Sequence, residues 1–172
     1  TKPVPRPAMI AAVTDGAGVL QGVHRTWLAP DGQDKAAVEI PRRAMGHLLG
    51  NAVRIVPADQ TLVLGEGFET MLSVREAVPS LPVWAALSSA HLGAVLLPAG
   101  LQRLYIAIDR DPAGQSAAER LTARASEVGV QVIVLEPQLG DFNDDLRAHG
   151  AEALRLHLAQ QIDPKDQHRL TI

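Results

Sequence analysis

The sequence predicts an α/β protein: a parallel sheet with flanking helices, preceded by a small antiparallel β-rich subdomain. Three observations carry this. From about residue 59 short apolar runs alternate with helix-like segments, which is the pattern of a parallel sheet. Before that point, residues 9–13 and 19–28 are β-type runs joined by Thr14-Asp15-Gly16-Ala17-Gly18, a good hairpin loop. Hydrophobic content is 47%, yet the aromatics are only Trp27, Phe68, Trp84, Tyr105 and Phe142, so the core is aliphatic and alanine-rich, as in helix-covered sheets.

Taken in order, residues 1–8 hold three prolines and read as a linker or tail. In the run 19–28, alternation places Leu20, Gly22, His24, Thr26 and Leu28 on one face and Val19, Gln21, Val23, Arg25 and Trp27 on the other. Neither face is wholly apolar, which suits a small sheet with a working surface. A turn at 29–35 and the basic cluster Pro41-Arg42-Arg43 follow, and residues 45–50 are too short and glycine-bounded for a stable helix. Residues 52–56 suggest another strand, and Pro57-Ala58-Asp59 marks a division near residue 58, so that 9–58 is the small basic subdomain and 59–162 the sheet domain.

Within the sheet domain, residues 61–65 form the first strand and 68–78 a helix with Phe68, Met71, Leu72 and Ala77 at helical spacing. Residues 83–87 are the second strand, and Ser88-Ser89 caps a helix at 90–97. After the turn Pro98-Ala99-Gly100 come a third strand at 103–108, the longest helix at 112–128 ended by Gly129, and a fourth strand at 130–135. A final helix spans 151–161, and 163–172 is a polar tail. Crossovers between parallel strands are right-handed.

Cysteine is absent, which excludes disulfides and thiolate zinc sites. No signal peptide and no apolar run of about 18 residues occurs, so no membrane is involved and a cytoplasmic location is the expectation. The first residue is Thr1 rather than methionine, which suggests a piece of a larger chain. Net charge is −3, but residues 1–60 carry seven Lys or Arg against five Asp or Glu, and residues 61–172 nine against fourteen. A mildly basic front half beside an acidic second half suits a polyanionic substrate.

The acids have a pattern. The first strand breaks into Gly65-Glu66-Gly67, the third into Asp109-Arg110-Asp111, and the fourth leads to Gly140-Asp141-Phe142-Asn143-Asp144. In an open parallel sheet ligands gather beyond the carboxyl ends of the strands, so these acids are presented at one rim, where they suggest a divalent metal. Capping of the next helix by Asp109, ahead of Asp111-Pro112, is the bland alternative for that pair. Arg110 between them reads as structural or phosphate-facing, and His24 as the one histidine near a substrate, a structural role being the plainer reading there.

As a set, Gly-Glu-Gly, Asp-Arg-Asp-Pro-Ala-Gly and Asp-Phe-Asn-Asp about 30 residues later resemble the Toprim domain of primases, topoisomerases and certain nucleases, over roughly residues 61–150. Glu-Gly-Phe-Glu-Thr and Asp-Pro-Ala-Gly-Gln-Ser-Ala-Ala are most similar to phage- and plasmid-type primase or primase-helicase cores, and residues 12–25 resemble the antiparallel piece those primases carry before Toprim. The resemblance implies a Toprim-like Rossmannoid sheet, Glu66 as catalytic glutamate, Asp109 and Asp111 as catalytic metal-binding acids, and Asp141 as a further metal ligand. Asn143 stands where such primases have a carboxylate, and Glu69 and Asp144 are lower-ranked substitutes. Arg25, Lys35, Arg42, Arg43 and Arg54 are the implied nucleic-acid and nucleotide contacts.

A carboxylate set favours Mg2+ or Mn2+, and two such ions serve in-line phosphoryl transfer. The implied function is synthesis of short RNA primers from ribonucleoside triphosphates on a single-stranded DNA template, with a helicase or further domains as partners. A Toprim-type nuclease and a catalytically inactive binding module remain open alternatives. A type-I topoisomerase needs a tyrosine nucleophile, and the only one, Tyr105, lies inside a strand expected to be buried. An Asp-x-Asp phosphatase has no need of Glu66.

Overall fold

The computed structural model describes residues 5–170, so part of the leading segment and the last two residues of the tail lie outside the described residues. The first sheet is a meander of β1 (Ala8–Thr14), β2 (Leu20–Trp27) and β3 (Arg42–Gly46), all antiparallel. The second sheet contains β4 (Val53–Arg54), β5 (Thr61–Gly65), β6 (Val83–Ala85), β7 (Arg103–Ala107) and β8 (Gln131–Leu135) in the order β4-β6-β5-β7-β8. Four of its strands are parallel and β4 is an antiparallel edge.

Alternation buries both faces of the central strands. Val63, Tyr105 and Ala107 face α1 (Phe68–Ala77) and α4 (Phe142–Ala159), while Leu62, Leu64, Leu104 and Ile106 face α2 (Ser89–Leu92) and α3 (Pro112–Glu127). The first sheet lies on the α1 side. Ala11 and Val13 of β1 enter that core, and the buried His24 of β2 meets the Phe68 ring edge-on at 6.0 Å. Alternation along β2 thus turns His24 and Thr26 inward and leaves Val23, Arg25 and Trp27 on the outer face.

Several elements differ from the sequence reading. Residues 42–46 form a strand, because β2 supplies its hydrogen-bonding partner although its own inward positions, Arg42, Ala44 and Gly46, carry no apolar signal. Of residues 52–56 only Val53 and Arg54 are strand, and they pair with β6 of the second sheet. The helix expected at 90–97 stops at Leu92. Beyond it Leu96 N–H bonds Gly50 O at 3.0 Å, and Arg124 donates to the carbonyls of Gly93 and Val95 at 2.7 and 3.2 Å, so these groups are satisfied outside a helix. The last helix begins at Phe142 rather than 151, with Asp141 as its cap and a break at Gly150, where φ is 82°.

The polar segment after Asp163 forms a short 3-10 helix, Pro164–Leu170, docked on the sheet. Its Asp166 is buried and accepts from Arg103 Nε at 2.5 Å, Arg103 guanidinium at 3.0 Å and Tyr105 hydroxyl at 2.8 Å. Tyr105 is fully buried, as its strand position predicts.

Candidate functional site

Strands β5 and β7 are neighbours, but β5 connects through α1 to β6 on one side and β7 through α3 to β8 on the other. This is a topological switch point, the place in an open sheet where a crevice forms at the carboxyl ends. Glu66 leaves β5 there and Asp109 leaves β7, both partly buried, while Asp141 arrives from β8. At the same rim Leu87, whose N–H bonds Glu66 O at 2.8 Å, is held at φ 77°, a strained conformation for a bulky side chain.

The acids sense one another. Burial, then the charges of Asp141, Glu66 and Asp111, push Asp109 up to about 6, with Arg42 opposing. Burial and Asp111 also raise Glu66, against the Ser89 N–H and Arg42. Asp109 Oδ1 is buried without a hydrogen-bond partner. Asp111, rather than Asp109, caps α3, accepting from Gly114 N–H at 2.7 Å, and Asp141 caps α4, accepting from Asp144 N–H at 2.8 Å, so capping and convergence coexist. Among the described residues no three His, Asp or Glu side chains form a group able to hold a metal ion by themselves.

The loops bearing these acids are fastened together. A Cβ on Gly114 would stand 2.8 Å from Asp109 O, which explains glycine at the end of Asp-Arg-Asp-Pro-Ala-Gly. Arg110 is structural: its N–H bonds Gly140 O at 2.9 Å and its guanidinium bonds Gln138 O at 3.0 Å. The buried Asp145, not singled out by the sequence, accepts from Gln138 and Leu139 N–H at 2.8 Å each.

Between the two sheets runs a groove of about 750 Å³. Glu66, Asp109, Asp141 and Asn143 border it from one side and Lys35, Arg42, His24 and Thr26 from the other. Glu69 spans the groove, with Oε2 3.3 Å from the Arg42 guanidinium. Its other oxygen, His24 Nδ1 and Thr26 Oγ1 are buried in the wall without partners. Burial lowers the His24 pKa, with Glu69 opposing. Asn143 Oδ1 lies 3.3 Å from Ser73 Oγ, and Asp144 is exposed and set against Gly140.

The five basic residues separate. Lys35, Arg42 and Arg43 border the groove. Arg25 lies on the outer face of the first sheet, 4.2 Å above the Trp27 ring. Arg54 bonds the Thr14 carbonyl, bonds the Thr14 hydroxyl at 2.9 Å, and stacks 4.3 Å from Trp84. Arg147, absent from the sequence reading, borders the groove 3.9 Å from Asp34. The signal for it was the helix start at Phe142, which places Asn143, Leu146 and Arg147 on one face.

Fold and rim thus define an α/β protein whose strand-end carboxylates look across a groove at a small basic sheet. The Toprim domain family matches residues 61–152, more than half of the chain, and the chain belongs to that family. Residues 1–55 match a domain of unknown function (DUF7146).

Among solved structures, the zinc-binding and RNA polymerase domains of the Aquifex aeolicus primase share the fold with a TM-score of 0.63 and 19% identity, over 94% of this chain and 43% of that one. The primase fragment of the bacteriophage T7 primase-helicase gives 0.64 and 17%, over 91% and 62%. The RNA polymerase domain of the Mycobacterium tuberculosis primase DnaG, in complex with a DNA oligomer bearing an overhang, gives 0.56 and 19%, over 90% and 53%. The fold is therefore that of primase cores, and the chain spans between 43% and 62% of the length of these three chains.

Proposed function

We propose that this chain is the catalytic core of a primase-type nucleotidyltransferase, joining ribonucleotides into short primers on single-stranded DNA. One observation carries the reading: the carboxylates Glu66, Asp109 and Asp141 converge at the switch point and share a groove with Arg42 and Lys35.

The residues fit Mg2+ or Mn2+. The Asp109 oxygen is buried and unpartnered among neighbouring carboxylates, a set of donors whose charge a divalent cation would offset. Magnesium needs only one or two protein carboxylates, since water and substrate phosphates fill the rest of its shell, so a closed cage of three is not required. Asp109, Asp141 and Glu66 would hold it, with Asp111 contributing the oxygen not used in capping. When bound, the metal supplies charge neutralisation at the phosphates and activates the attacking oxygen. Arg42 and Lys35 bind triphosphate and template phosphates. Glu66, raised by burial, would take the proton of the attacking 3′-hydroxyl.

The test is oligoribonucleotide synthesis on a single-stranded template with and without Mg2+, using this chain within its longest natural form. Metal-dependent product, cut about 100-fold or more by Glu66→Gln, is expected. No product where a control primase works would refute the reading. Glu66-dependent cleavage of single-stranded DNA would reassign the site to a nuclease, and DNA binding without metal uptake in calorimetry to a binding module.

A further inference from the structure

The contact of Arg42 with Glu69 across the groove is only half made. A guanidinium and a carboxylate pair best through two parallel hydrogen bonds. Here one guanidinium nitrogen lies 3.3 Å from Glu69 Oε2, while Oε1 is buried with no partner. Thr26 Oγ1 and His24 Nδ1 in the facing wall also lack partners, so neither donates to Glu69. Glu69 is a planar pair of acceptors with a single donor.

The space around it has apolar walls. Met9 of β1, Thr26 of β2 and Arg42 of β3 lie in register across the first sheet, and Leu28 borders the groove beside them. From the other side come Phe68 and Leu72, four residues apart on one face of α1 and flanking Glu69. A concave site with apolar walls and a few polar groups is the usual form of a small-molecule pocket. Arg42 stands between this recess and the acids, since its charge acts on Glu66 and Asp109 at the rim and on His24 in the wall. A triphosphate drawn to Arg42 takes the one donor that Glu69 has.

We infer that the recess at Glu69 is a guanine site, in which the carboxylate released by Arg42 accepts from N1–H and the N2 amine of the base while the ring lies between the first sheet and α1. The inference rests on the reading of the groove as a nucleotide site. Guanine is the common base with two adjacent N–H donors, in the same fork as the guanidinium it replaces. Adenine and cytosine set a ring-nitrogen acceptor beside their amino group, and uracil flanks its one N–H with two carbonyls, so each turns a lone pair toward the carboxylate. The ribose 2′,3′-diol also offers two donors, but a polar sugar has no use for Met9, Leu28, Phe68 and Leu72 around it.

Calorimetry with Mg2+ and without template tests this on the chain within its longest natural form. GTP is expected to bind about tenfold or more tighter than ATP, CTP or UTP. Inosine triphosphate, which lacks the N2 amine, should bind about fivefold or more weaker than GTP, and 2′-deoxy-GTP should match GTP. Glu69→Gln turns one acceptor into a donor. Xanthosine triphosphate, with a carbonyl where guanine has the N2 amine, should then overtake GTP, a reversal of about tenfold or more that misfolding cannot produce. If the variant loses its native circular dichroism, photocrosslinking of 6-thioguanosine triphosphate to the unaltered protein decides, with label expected on the peptides of α1 or β2.

Equal binding of GTP and ATP, equal binding of GTP and inosine triphosphate, an unchanged preference in folded Glu69→Gln, or crosslinks outside α1 and β2 would overturn the inference. So would a uniform loss of all triphosphates in that variant, which would make Glu69 a metal ligand, or a loss specific to the 2′-deoxy form, which would make the recess a ribose site. None of these readouts involves synthesis. Primers made without a guanine preference sink the inference alone, and a guanine preference without primers sinks the proposed activity alone.

Discussion

Burial and neighbouring carboxylates push Asp109 up to about 6, so an ionised Asp109 at neutral pH works against the fold. The folded state binds more protons than the unfolded one between about 4 and 6, and stability falls as pH rises through that window. Asp109→Asn is expected to raise stability without metal by about 2 kcal/mol at pH 7, read from urea unfolding, and to remove the stabilisation that Mg2+ gives the unaltered protein. Asp166 shows the reverse sign. Burial alone pushes it up, but the hydrogen bonds from Arg103 and Tyr105 prevail and hold it at about 2. Its contribution is complete above about 3.9 and is lost as pH falls toward 2. Asp166→Ala leaves Arg103 buried and unpaired, and should cost about 3 to 5 kcal/mol, while Arg103→Met with Asp166→Leu recovers most of it. A sequence of polar residues at the end of a chain carries no sign of this burial, because the partners are about 60 residues away.

At the scale of elements, the close seat of α3 on the β7 exit depends on Gly114. Gly114→Ala forces a Cβ toward Asp109 O at 2.8 Å and is expected to cost about 1 to 3 kcal/mol and to weaken the Mg2+ response. Gly16→Ala, with open space around it, should stay within about 0.5 kcal/mol by the same denaturation measurement. The strands β5, β7 and β8 were legible because both their faces are apolar and glycine or acids follow them. β3 was not, since hydrogen bonds to β2 rather than apolar alternation make it a strand. The first half of α4 was hidden by its polar composition and the Gly150 break, and with it Arg147. The acids of the rim were legible as strand ends. Glu69 was not legible as a groove-spanning partner of Arg42, because that pairing joins helix α1 to a strand of the first sheet, 27 positions apart in the chain.

For the molecule as a whole, the groove exists only if the two sheets keep their relation. The first sheet is joined to the second by the Thr14–Ala52 bridge, by Ala11 and Val13 in the common core, and by Arg54, which runs from Thr14 to the Trp84 ring. The resemblance implies a phosphate contact for Arg54. Its geometry is that of a clasp, with the guanidinium occupied by Thr14 and by an aromatic face. The two roles separate in one experiment. A phosphate-contacting arginine, when removed, lowers the salt slope of single-strand binding by about 0.7 and leaves unfolding free energy nearly unchanged. A clasp does the opposite. Arg54→Ala is expected to cost about 1 to 3 kcal/mol in urea unfolding, through the lost stacking on Trp84 and the lost hydrogen bonds to Thr14, with the slope unaltered. Arg42→Ala, by contrast, should lower the slope, because Arg42 is half exposed in the groove and held by one ion pair. A reduced slope and unchanged stability for Arg54→Ala would return it to the binding surface and leave the seam to the core and the Thr14–Ala52 bridge.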